Sequence, residues 1–208
     1  MIIESSYRCK ERRHVDTVAA YFDEKASMWE EMEKHTKSTV QAAVAVMAGV
    51  VEGSRVLDLG CGLGVMIPVY LQLDAAHILG VDISQKMIRK AQERWADYPN
   101  IEFDAIDACM LTGESRFDSI VIYNAYPHFM NRPALVETCA RLLVKEGRFC
   151  IAHGTGRNGI NSHHDAVAAG VSLGLKKARE ESAIWQKLFE IDAIVDTPGF
   201  YAFAGQLK

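Results

Sequence analysis

An acid followed by three spaced glycines, in Val56-Leu57-Asp58-Leu59-Gly60-Cys61-Gly62-Leu63-Gly64, is the segment of this sequence best suited to hold a ligand by its backbone. Glycine tolerates positive φ and lets the main chain approach a bound molecule closely. Asp58 would accept hydrogen bonds from a cationic ammonium, and its charge is out of place beside a pyrophosphate. A dinucleotide turn also needs glycine in the pattern G-x-G-x-x-G, and Val65 stands at the last of those places. The segment points to a cofactor with an amino-acid end.

Three more polar residues close apolar runs in the same way. Asp82, in Gly80-Val81-Asp82-Ile83-Ser84, falls where an open α/β sheet places an acid on the hydroxyls of a ribose, a charge-assisted and orienting contact. Asp107 follows Asp104-Ala105-Ile106 and precedes Ala108. Asn124 ends Phe117-Asp118-Ser119-Ile120-Val121-Ile122-Tyr123. All of them, with Asp58, belong at one edge of a sheet.

Histidine is the side chain best tuned to accept a proton near neutrality. His128, in Asn124-Ala125-Tyr126-Pro127-His128-Phe129, and His153, after Arg148–Ala152, sit beyond successive apolar runs and are the candidate catalytic groups, with Tyr126 beside them. His163 and His164 are adjacent, so a helix would turn at most one of them toward the others. No metal site is assigned. The five cysteines are scattered and lack a C-x-x-C pair, so Cys61 is expected to serve the turn through its backbone, and no disulfide framework is indicated.

The elements that must position these residues are legible in the apolar pattern. An amphipathic segment from His14 to about Met32 and a helix from Thr39 to Val51 precede the glycine turn. Short apolar runs then alternate with helical stretches: Val56–Leu59 and Val65–Leu73, Ile78–Val81 and Gln85–Trp95, Ile101–Ile106, Phe117–Tyr123 and Pro133–Leu143, Arg148–Ala152. Such alternation specifies a parallel sheet with helices on both faces. Asn131 ahead of Pro133 marks a helix start. A polar loop, Gly154–Gly159, leads to a helical region from about Ser162 to Lys187, and Phe189–Asp196 and Phe200–Leu207 form a closing pair about Thr197-Pro198-Gly199.

The run Val56–Gly64, followed in order by Asp82, Asp107 and Asn124, resembles class I S-adenosylmethionine-dependent methyltransferases of the small-molecule type. The resemblance implies a doubly wound, seven-stranded, mostly parallel sheet with the last strand antiparallel beside the fifth. It implies Asp58, Gly60, Cys61 and Gly62 against the methionine moiety, Asp82 on the ribose, Ile83 and Met87 near the adenine, Asp107 and Ala108 at its amino group, and Asn124 beside the sulfonium. Tyr21-Phe22-Asp23-Glu24-Lys25-Ala26-Ser27-Met28-Trp29 is similar to the helical cap that such proteins fold over the cofactor, which makes residues 1–52 a cap and 53–208 the core of a single domain.

The 208 residues fit one domain, and a net charge of −4 with no dense Lys/Arg cluster argues against nucleic acid as partner. No apolar stretch is long enough to cross a bilayer and no secretory pattern opens the chain, so a cytoplasmic protein acting on a small-molecule acceptor is expected. A cofactor-binding sensor or partner subunit without turnover, and a metal-assisted or metalloid/thiol methyltransferase, stay open as alternatives. The acceptor atom and the oligomeric state are not legible.

Overall fold

Period-two alternation sends successive residues of each strand to opposite sides, and here both sides are apolar. In the computed structural model, which describes residues 2–33, 38–167 and 170–208, these runs become β1 (Arg55–Leu59), β2 (His77–Asp82), β3 (Ile101–Ala105), β4 (Phe117–Tyr123), β5 (Leu143–His153), β6 (Phe189–Asp196) and β7 (Tyr201–Leu207). They form one seven-stranded sheet in the order β3-β2-β1-β4-β5-β7-β6. Neighbours from β3 to β5 pair in parallel, whereas β7 is antiparallel to both β5 and β6. The last strand inserts between the fifth and sixth, as expected.

The helices are α1 (Ile2–Glu33), α2 (Ser38–Met47), α3 (Ile67–Gln72), α4 (Gln85–Arg94), α5 (Arg132–Leu142), α6 (Arg157–Val167) and α7 (Ala178–Ser182). Leu57, Leu59, Ile120, Ile122, Phe149, Ile151 and Phe203 face α5, α7 and Trp185, whose ring stacks on Phe149 at 4.2 Å. Val56, Val121, Cys150, Ala152 and Ala204 face α2 and α3. Burying each large side chain contributes roughly 1.5–3 kcal/mol, so a one-residue slip of any inner strand would be heavily penalised.

Capping follows the sequence closely. Ser84 Oγ accepts from the Met87 N–H at 3.1 Å to start α4, and Asn131 Oδ1 accepts from the Ala134 N–H at 3.1 Å to start α5.

Three expectations need correction. α1 begins at Ile2, well before His14. The polar loop expected over Gly154–Gly159 turns helical at Arg157, because Gly156 lies flat against the turn of the closing hairpin and donates to Pro198 O at 3.2 Å. A Cβ there would collide with the Thr197 and Pro198 carbonyls. The helical region expected over Ser162–Lys187 is broken: α6 ends at Val167, Gly170 has φ +86°, and a strap without secondary structure runs to α7. The strap's polar groups bond sideways to other segments, which removes the reason to coil. Asn161, for example, grips the Leu175 backbone from both sides, its Oδ1 accepting at 2.8 Å and its Nδ2 donating at 3.0 Å.

Candidate active site

The carboxyl ends of β1, β2 and β4, with the glycine turn between β1 and α3, make one half of the site. Gly60, Gly62 and Gly64 have φ of +72°, +56° and +81°, the left-handed region that disfavours side chains. The Gly60 and Cys61 N–H groups both donate to Val81 O, at 2.7 and 3.1 Å, which folds the turn toward β2. A Cβ on Gly60 would run into the Ala125 methyl group. Cys61 is buried, and its thiol donates to Gly62 O at 3.8 Å.

Asp82 spreads its carboxylate between two backbone donors, Gly62 N–H at 3.0 Å and Ser84 N–H at 2.9 Å. Each oxygen keeps a lone pair for a further donor. Burial raises its pKa, opposed by those same hydrogen bonds. Asp107 caps the short turn that begins at the buried Ala108, accepting from the Cys109 N–H at 3.0 Å. Asn124 has φ +55°, is exposed, and accepts from the Gly154 N–H at 2.9 Å, which joins the ends of β4 and β5.

Asp58, expected against the methionine moiety, is deeply buried. It is 1% exposed, on the α3 side of the sheet beside Tyr70. Burial, and then the Asp58 charge, push the Tyr70 phenol well above its ordinary range. The acid therefore lies beneath the glycine turn, with its charge beside the Tyr70 hydroxyl.

Helix α1 crosses above this edge. Asp23 Oδ1 accepts from Ser84 Oγ at 2.5 Å and from the Lys86 N–H at 3.0 Å, at the start of α4. Those bonds and the Lys86 and Arg89 charges lower its pKa against the opposing effect of burial, the largest single influence. Ala26 packs with Leu63 and Met87, and Val18 packs with Val171, with Ile83 partly buried against that pair. Met87 and Ile83, expected at the adenine, thus lie under the cap.

The other half of the site is a histidine cluster beyond β4 and β5. His128 Nδ1 lies 2.8 Å from Val171 O. A carbonyl only accepts, so Nδ1 carries the proton and Nε2 is the basic nitrogen. The His128 ring meets Phe22 of α1 edge-on at 4.7 Å and His164 of α6 at 4.9 Å. Burial drives its pKa down to about 4, against the bond to Val171. His153 is 3% exposed, and burial followed by the fields of His128, His164 and Arg132 takes its pKa to about 3. His153 Nε2 is buried with no hydrogen-bond partner among the described residues. His164 joins this cluster and His163 is exposed, as neighbours on a helix must diverge. Among the described residues no group of three or more His, Cys, Asp or Glu converges to hold a metal.

Tyr126, expected beside the acceptor, belongs to the core. It is fully buried, Arg132 lies 4.6 Å over its ring, and its hydroxyl accepts from Trp185 Nε1 at 3.4 Å. Burial raises its pKa to about 12. Tyr126 and His128 share one short turn, in which the tyrosine is buried and His128, two residues on, meets Phe22 and His164.

Sequence reasoning missed Asp23, Arg132 and Glu181. Their partners lie 61, 49 and 49 residues away along the chain, respectively, so no local pattern announces them.

Residues 56–147 match the family described as a methyltransferase domain. A ubiquinone biosynthesis O-methyltransferase of Xylella fastidiosa is 30% identical over 104 residues, 48% of this chain and 42% of that protein. A demethylmenaquinone methyltransferase of Tropheryma whipplei is 28% identical over 109 residues, 52% of this chain and 45% of the other. The chain spans less than half the length of these curated relatives. The chain solved in complex with the Trm112 methyltransferase activator of Haloferax volcanii superposes with a TM-score of 0.76 at 19% identity, over 89% of this chain and 97% of that one. An S-adenosylmethionine-dependent methyltransferase from Mesorhizobium loti gives 0.64 at 20% identity, over 79% and 95%. Among the described residues no helix is long and apolar enough to cross a membrane. Strand order, glycine turn and family match coincide: residues 56–147 match a methyltransferase domain, and the fold is that of class I S-adenosylmethionine-dependent methyltransferases.

Proposed function

We propose that this protein transfers the methyl group of S-adenosylmethionine to a hydroxyl of a small aromatic acceptor, with His128 Nε2 as the proton acceptor. The residues fit the cofactor: the left-handed glycines make room for its amino-acid end, Asp58 favours its positive charge from below, and Asp82 offers lone pairs to two ribose hydroxyls. Asp107 and Ala108 would meet the adenine amino group, Ile83 and Met87 its ring, and Asn124 the sulfonium side. When bound, the cofactor supplies a methyl carbon already activated by positive sulfur.

What the chain adds is alignment, exclusion of water and a place for the proton. Alignment of two reactants can be worth roughly 7–11 kcal/mol. Helix α1, the part of the 1–52 cap that packs through Ala26 on Leu63 and Met87, covers the cofactor edge of the core formed by 53–208 and would keep water out. The observation that carries the reading is the pair of desolvated imidazoles, the half-buried His128 and the buried His153. His128 is held neutral with Nε2 basic, and the orphaned His153 Nε2 offers the acceptor hydroxyl a second anchor. Among the described residues the ionisable groups acting on this pair are His164 and Arg132, with no carboxylate among them to attract an ammonium, so a neutral hydroxyl suits the site better than an amine. The names of the relatives, which include O-methyltransferases of ubiquinone biosynthesis, point the same way.

The test offers the purified protein S-adenosylmethionine with a panel of phenols, thiols and amines and measures S-adenosylhomocysteine release. Turnover confined to phenols is expected. Turnover on amines alone removes the acceptor assignment, and cofactor binding without turnover on any compound favours a sensor.

A further inference from the structure

A buried ion pair with no place in the chemistry lies behind the histidine cluster. Arg132, the first residue of α5, is 9% exposed and Glu181, on α7, is 3% exposed, and Arg132 Nη1 donates to Glu181 Oε1 at 2.6 Å. Replacing such a pair by apolar groups of similar volume is often neutral or stabilising, so its presence calls for a reason other than stability.

The reason lies in what else the two side chains hold. Arg132 Nη2 donates to Gly174 O at 3.3 Å and Leu173 O at 3.5 Å, and Glu181 Oε1 also accepts from the Lys176 N–H at 2.9 Å. The pair thus ties down three points of the strap between α6 and α7. A fourth tie, Leu173 N–H to Pro127 O at 2.7 Å, fastens the strap to the loop that carries His128. The strap in turn presents Val171 O to His128 Nδ1 at 2.8 Å.

We infer that Arg132 and Glu181 are positioning residues: they hold the 171–176 strap so that the Val171 carbonyl fixes His128 in the tautomer whose Nε2 is basic. The inference rests on the reading of His128 as the proton acceptor, and the forked guanidinium suits it, since one ammonium could not reach the carboxylate and two carbonyls in a fixed plane. The ionisable groups around His128 are His164 from α6, His153 from β5 and, acting on His153, Arg132 from α5; α1 presents Phe22. With the strap released, water would reach the imidazole and its pKa would return toward the ordinary histidine value.

Nitrogen NMR of the histidine rings in the full-length protein tests this without an acceptor. In the wild type His128 should show the proton on Nδ1, and finding it on Nε2 overturns the inference outright. The double variant R132M/E181M, which leaves no unpaired charge, should keep its melting temperature and its affinity for S-adenosylmethionine. In it the His128 tautomers should mix, its pKa should rise, and amides 171–176 should exchange about tenfold faster or more. An unchanged tautomer, pKa and strap exchange in that variant would show the pair to be structural only. The parent reading fails separately, if His128→Ala turns over normally while the ring NMR of the wild type stands.

Discussion

The edge of this sheet that we assign to the cofactor and the edge that we assign to the acceptor are built on different plans. At the first, main-chain geometry dominates: the Gly60–Gly64 turn, and Asp82 bonded to the backbone N–H groups of Gly62 and Ser84. At the second, each important group depends on a distant one. His128 is set by Val171, 43 residues on, and Arg132 by Glu181, 49 residues on. In our proposed reading the first plan suits a ligand held by the main chain and the second an acceptor held by side chains on loops.

The sharpest break in this comparison comes from His128→Ala. Loss of a general base should lower kcat by about 10²–10⁴-fold while cofactor affinity, measured by calorimetry, stays the same. A parallel loss of cofactor affinity would show that the two edges are not separable.

Asp82→Ala should act in the opposite sense. Losing its charged hydrogen bonds should cost about 1.5–3 kcal/mol of S-adenosylmethionine affinity by calorimetry. Unchanged binding would remove Asp82 from the ribose.

The acceptor edge should also carry a pH signature. His128 and His153 titrate near 4 and 3 in the folded chain and near 6.5 when unfolded, so the unfolded state binds more protons between those values. Stability contributed by their neutral burial is therefore complete above about pH 6.5 and is lost as pH falls, by about 2 kcal/mol for each histidine between pH 7 and pH 5. Denaturant midpoints at the two pH values should show it, and the H128F/H153F variant should flatten the dependence.

The smallest effect is expected at the cap. Asp23→Ala removes the acceptor shared by Ser84 Oγ and the Lys86 N–H, worth about 1 kcal/mol at a helix start. Amide exchange in α1 should quicken while the melting temperature of the sheet holds.

Much of the turn and cap geometry is legible in the amino-acid order because its signals are local. Spaced glycines at positive φ, acids that end strands, and Ser84 and Asn131 as caps all act within a few residues. The seven apolar runs were readable for the same reason, since period-two alternation belongs to the strand itself. The pattern places Asp58 near the end of a strand without specifying which face it takes, and it lies under the turn beside Tyr70.

The strap was read as helix because helical composition is a weak preference, which sideways hydrogen bonds from Arg132 and Asn161 override. Tyr126 illustrates the same limit: neither polarity nor position in the loop distinguishes a ring in the core from one in the site, and the space beneath Arg132 settled it. By itself the amino-acid order determined the sheet, its winding and the glycine turn, since those follow from neighbours along the chain. Only the tertiary structure decided which imidazoles meet, which nitrogen is basic and what holds them, because each depends on closing loops of tens of residues around a shared, desolvated space.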